Sequence, residues 1–132
     1  MRHARRRSAT VLLVAILAAC GGIYQLKQFK DHSARSDWAW VAQQPVTCAA
    51  SSDGCNQLHL IKGDACYRLA KQGAEPRAHY QCAADELETG IAQTKVWRES
   101  GLDLNRAQTY ENLCESLRNL QDMERGAAAE PT

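Results

Sequence analysis

The apolar positions recur three, four and seven residues apart along most of the chain, the period of an amphipathic helix. After residue 45, Leu58, Ile61, Ala65 and Leu69 fall on one helical face. Ser51, Ser52 and Asp53 precede that stripe as capping-type residues, and Gly73 is placed to end it. Ala74-Glu75 then meets Pro76, which suits a first helical position. Tyr80, Ala83, Ala84, Leu87 and Ile91 form the next stripe, on a helix expected to reach as far as Trp97. Gly101 breaks the pattern, and Asp103 or Asn105 is placed to cap a third helix that Gly126 ends. On it Leu104, Ala107, Tyr110, Leu113, Cys114, Leu117 and Leu120 make a wide apolar face, which predicts packing on two neighbours. No stretch alternates with period two over a useful length. The pattern predicts an all-α domain, a helical hairpin within a three- to four-helix body.

The beginning of the chain reads differently. Arg2, Arg5, Arg6 and Arg7 lead into Val11–Ala19, an apolar run of nine residues. A membrane span needs roughly 20 apolar residues, so the run fits a secretory signal better than a permanent anchor. The whole chain of 132 residues carries 16 basic and 15 acidic side chains. Without those four arginines the balance is 12 to 15, and a mildly acidic body is poorly suited to neutralising nucleic-acid phosphates.

Leu17-Ala18-Ala19-Cys20 closes the apolar run and resembles the lipobox of bacterial lipoproteins. The resemblance implies cleavage after residue 19, a diacylglycerol thioether on Cys20 and acylation of the new terminus. The only cofactor-like group is then this covalent lipid, and two or three acyl chains anchor stably where one does not. Gly21 replaces the Asp that retains such proteins at the inner membrane in enterobacteria. The implied address is therefore the outer membrane, facing the periplasm. The expected organisation is a signal peptide at 1–19, a lipid-anchored tether with a short helix at 20–45, a disulfide-stabilised helical domain at 46–126 and a disordered tail at 127–132. Trp38 and Trp40, so near the lipid, read either as core contacts or as rings at the membrane surface.

A second resemblance lies within the helical body. Leu60–Leu69, with Gly63 as a small residue and Cys66 or Tyr67 behind it, resembles the first helix of a tetratricopeptide repeat. His79–Ala84, with Tyr80 and Ala83, resembles the second helix of that motif. Arg106–Leu117, with Ala107 and Cys114 as small residues, resembles a second helix again. The resemblance implies a helical hairpin with a concave recognition face, near Tyr67, Tyr80, Trp97 and Tyr110. A hairpin with extra packing helices accounts for the same residues.

With Cys20 lipidated, five cysteines remain, an odd number in an oxidising compartment. Cys66 and Cys82 lie about equally far from the turn between Gly73 and Pro76, which favours their pairing. Cys48–Cys55 comes next, across a Ser/Asp/Gly loop. The alternative ties Cys48 or Cys55 to Cys114. Cys114 in the apolar stripe reads as a small buried hydrophobe, or else as an unpaired thiol that is reactive or bridges to another chain.

Chemistry-bearing constellations are sparse. His59, Cys66, His79 and Cys82 lack the tight pairs of a structural zinc site, so no metal is expected. There is no C-x-x-C, no Gly-rich phosphate loop and no signature around a Cys/His pair. Asp85, Glu86 and Glu88 read as a solvated acidic face. The function expected is that of a protein–protein interaction or assembly module of an envelope complex such as a secretion or pilus system. It would be membrane-attached, bind another envelope protein, and have no catalysis, small-molecule substrate or nucleic acid. The alternative is a structural, protective or immunity-type envelope lipoprotein.

Overall fold

A computed structural model describes residues 24–97 and 106–129. The signal region, Cys20, Gly101, Asp103, Leu104 and Asn105 lie outside them. Every regular element among the described residues is a helix, and none is a strand. A first helix, α1, occupies 24–34. It is followed by α2 (Trp38–Gln43), α3 (Cys55–Lys71), α4 (Pro76–Gln93) and α5 (Arg106–Ala129). None of these is long and apolar enough to cross a membrane.

Helices α3 and α4 form an antiparallel hairpin; α2 packs on α3, and α5 packs mainly on α4. The core divides into two clusters on either side of α3. Leu58, Ile61 and Ala65, from the recognised stripe, meet Phe29 and Val41. Leu60 and Cys66, from a second stripe, meet Ala83 and Leu87 of α4. A helix buried on two sides needs two stripes, which is why Leu60, Gly63, Cys66 and Ala70 are buried besides the predicted face.

Glycine sets how closely the hairpin closes. A Cβ at Gly63 would lie 2.7 Å from the side chain of Leu87 and 3.1 Å from its backbone nitrogen. Reciprocally, a Cβ at Gly90 would lie 2.7 Å from Leu60 and 3.1 Å from the carbonyl oxygen of Asn56. Each helix thus receives the other's leucine over a glycine.

The helix ends follow from local chemistry. After α3, Gly73 takes φ +82°, and its N–H donates to the Ala70 carbonyl while Ala74 N–H donates to that of Leu69. This is a Schellman closure, with glycine at the left-handed position. Ser36 (φ 57°) closes α1 in the same way, through Ser36 N–H to Ser33 and Asp37 N–H to His32.

Several expectations are corrected. Residues 24–45, expected as a tether with a short helix, fold onto the body: Phe29 and Val41 are fully buried. Burying such a side chain contributes roughly 1.5–3 kcal/mol toward holding the segment on the body. Trp38 and Trp40 are half-buried against this first cluster, Trp40 stacking on His32 and Trp38 lying beneath the Arg68 guanidinium. Ser51–Asp53 give no side-chain cap to α3; its N-cap is Gly54, at φ +82°. α4 stops at Gln93, where Thr94 is extended, and does not reach Trp97 as one helix. α5 runs through Gly126 into Ala127–Ala129, the strongest helix-forming residues, so this part of the expected tail is helical.

Candidate interaction surface

The largest correction concerns α5. Its buried residues are polar: Thr109, Asn112 and Ser116, spaced three and four apart, are at most 5% exposed. Ser116 donates its hydroxyl to the Asn112 carbonyl at 2.7 Å, and Gln108 donates to Asn112 Oδ1 at 2.8 Å. Small polar side chains bonded along their own helix can be buried without an orphaned group. Of the expected apolar face, Leu113 and Leu120 are half-buried at one edge. Tyr110 (40%) and Leu117 (48%) are exposed, as are Ala107 and Cys114. At 100° per residue Cys114 lies opposite the buried row, at the crest of the outer face. Cys114 is therefore no buried hydrophobe; it is the free thiol among the described cysteines.

The other cysteines are joined as Cys48–Cys55 and Cys66–Cys82, with Cα–Cα separations of 5.6 and 5.9 Å. The first bridge fastens the loop before α3 to that helix; the second crosses the hairpin.

The four aromatic candidates separate. Tyr80 is 7% exposed and belongs to the interior, so it is removed from the candidate contact residues. The hairpin flank it was expected to line is covered by α5. Tyr67 is half-buried beneath α5, where its hydroxyl donates to Glu115 Oε2. Lys71 Nζ donates to the other carboxylate oxygen at 2.6 Å and lies 5.8 Å from the Tyr67 ring. Burial and then the Glu115 bond push the Tyr67 phenol up to about 12. The Lys71 and Tyr67 bonds hold the Glu115 carboxyl below its ordinary value, and the Glu115 bond, followed by the charges of Tyr67 and Glu115, raises Lys71. These residues form a latch between α3 and α5. Trp97, half-buried, leans on Tyr110 at 6.3 Å between ring centres, and the Arg106 guanidinium sits 5.7 Å over Tyr110. Trp97 and Tyr110 thus begin a surface that continues along α5 through Cys114 to Leu117.

The histidines are engaged elsewhere. His59 Nδ1 meets Glu86 Oε2 at 2.5 Å, and His79 Nδ1 meets the Ala74 carbonyl. His59, Cys66, His79 and Cys82 do not converge; among the described residues the potential ligand atoms that cluster are those of Cys48, Cys55 and His59, two of them spent in a disulfide. Asp85, Glu86 and Glu88 are not a common acidic face, since Glu86 turns inward to His59 and Lys62. No sequence pattern marks Asp64, yet it is only 8% exposed. Burial raises its pKa, opposed by Arg68, whose Nε donates at 3.0 Å.

No family model, curated protein or solved structure matches the chain.

Proposed function

We propose that this chain is a periplasm-facing lipoprotein of the outer membrane, lipidated at Cys20, that serves as a non-catalytic interaction or assembly module. The lipid supplies location and the helical body supplies recognition. The address rests on the basic start, the short apolar run and Leu17-Ala18-Ala19-Cys20. Two disulfides suit an oxidising compartment. The observation that carries the interaction role is the outer face of α5, where Tyr110, Cys114 and Leu117 stand exposed in one row. Exposed aromatic and aliphatic side chains in a row are what a partner helix or groove takes up.

Affinity capture from detergent-solubilised envelopes tests this, comparing the wild-type chain with Y110A/L117A. A stoichiometric partner retained by the first and lost by the second is expected. Equal recovery by both chains would remove α5 from the contact.

A further inference from the structure

The geometry points to a second copy of this chain as the occupant of the α5 face, docked antiparallel about a two-fold axis through Cys114. This inference rests on the reading of that face as the contact surface. The outer face carries a register that complements itself when the helix is reversed. Tyr110 lies four residues before Cys114 and Leu117 three after it, both on one flank. Reversal about Cys114 brings Leu117 level with Tyr110 of the second copy to within about 1.5 Å along the axis.

The charges agree with the same register. Glu111 and Arg118 lie on the other flank, three residues before and four after Cys114. Reversal sets Glu111 beside Arg118 of the second copy, again offset by about 1.5 Å, and the symmetry repeats the pair. Farther out, Arg106 comes opposite Glu124 of the second copy, offset by about 3 Å. All four charged residues are exposed, and among the described residues none is within 4.0 Å of an opposite charge of its own chain, although Arg118 acts at longer range on Glu115 and Arg106 lies over Tyr110. A parallel pairing would give neither the Glu111–Arg118 nor the Tyr110–Leu117 match.

The thiols fall on the axis. Helices about 10 Å apart, with Cα atoms about 2.3 Å from each axis, place the two Cys114 Cα atoms about 5.4 Å apart. That lies within the roughly 4.4–6.8 Å range of a disulfide. One helix pair is small beside the ~1,000 Å² of a stable non-covalent interface, so a bridge is what would make the pairing lasting. The bond forms by thiol–disulfide exchange with a small-molecule or protein disulfide. One Cys114 thiolate attacks the oxidant's disulfide and releases one thiol. The Cys114 thiolate of the second copy then displaces the other, leaving one inter-copy disulfide and a reduced oxidant.

The full chain, purified from membranes in mild detergent, is incubated with oxidised glutathione and followed on non-reducing gels and by intact mass. A disulfide dimer is expected for wild type and none for C114S. E111R, which sets like charges together twice, should slow dimer formation roughly tenfold. E111R/R118E, which restores both pairs with reversed signs, should return it to near the wild-type rate. Helical circular dichroism of each variant guards against unfolding. A wild-type chain that stays monomeric, or an E111R defect that the double exchange does not repair, overturns the inference. A monomer that still holds a different envelope protein through Tyr110 and Leu117 would overturn it while leaving the interaction role standing.

Discussion

Replacing Gly63 by alanine sets two effects of known size against each other. In an open helix Gly→Ala stabilises by about 1 kcal/mol, because alanine costs less backbone entropy. At Gly63 the new methyl would lie 2.7 Å from Leu87, which is 1% exposed and enclosed by the second core cluster. The Leu87 backbone nitrogen lies only 3.1 Å away, so rotating the leucine does not suffice; α3 and α4 must separate locally. Overpacking of this kind costs typically 1–3 kcal/mol, with the backbone contact arguing for the upper end. The net expectation for G63A is a loss of about 2 kcal/mol, a fall in Tm of roughly 10 °C for a domain this size. G126A is the internal control. It is also helical, but a Cβ there meets nothing within 4 Å, so it should gain about 0.5–1 kcal/mol. Guanidinium unfolding followed at 222 nm, with disulfides intact, gives both values. A G63A chain as stable as wild type, or more so, would refute the claim that glycine sets the hairpin spacing.

Three further outcomes are expected. The Cys66–Cys82 bridge spans a separation of 16 residues and Cys48–Cys55 one of 7, so C66A/C82A should cost about 3 kcal/mol and C48A/C55A nearer 2 kcal/mol by denaturant midpoint. Glu115 and Asp64 should act on pH stability with opposite signs. The lowered pKa of Glu115 gives stability that is present above about pH 4.5 and lost as pH falls, so E115Q should destabilise at neutral pH and match wild type in acid. Asp64 is raised by burial, so the stability its protonation gives is lost as pH rises; D64N should gain on wild type from acid toward neutrality, and a midpoint difference independent of pH would exclude this. Intact mass of membrane-purified protein should show loss of residues 1–19 with added acyl groups, whereas an unprocessed chain would remove the proposed address.

The hairpin was legible in the sequence because its signals are strong and local. Leu58–Leu69 and Tyr80–Ile91 each carry an apolar stripe at helical spacing, and Gly73 and Pro76 punctuate the turn between them. The docking of α1 was harder to read: Phe29 sits among lysines, and its partner Val41 lies beyond a turn closed by Ser36 rather than by glycine. α5 misleads for a physical reason. Hydrophobic periodicity assumes that the apolar face is the buried one, but here Thr109, Asn112 and Ser116 face inward, Asn112 and Ser116 with hydrogen bonds along their own helix. That inversion hid the candidate surface, since Tyr110 and Leu117 looked like core. Only the spacing of Thr109, Asn112 and Ser116 at three and four residues signalled a second possible inner face.

The burial of Phe29 has a consequence for reach. Under the proposed lipidation, only the four residue steps from Cys20 to Tyr24 separate the anchor from the first described helix. Fully extended, they span at most about 14 Å. With α1 fastened to α3 through Phe29, the body has no leash on which to search the periplasm. It would ride close against the bilayer, and whatever binds α5 would have to meet it at the membrane surface.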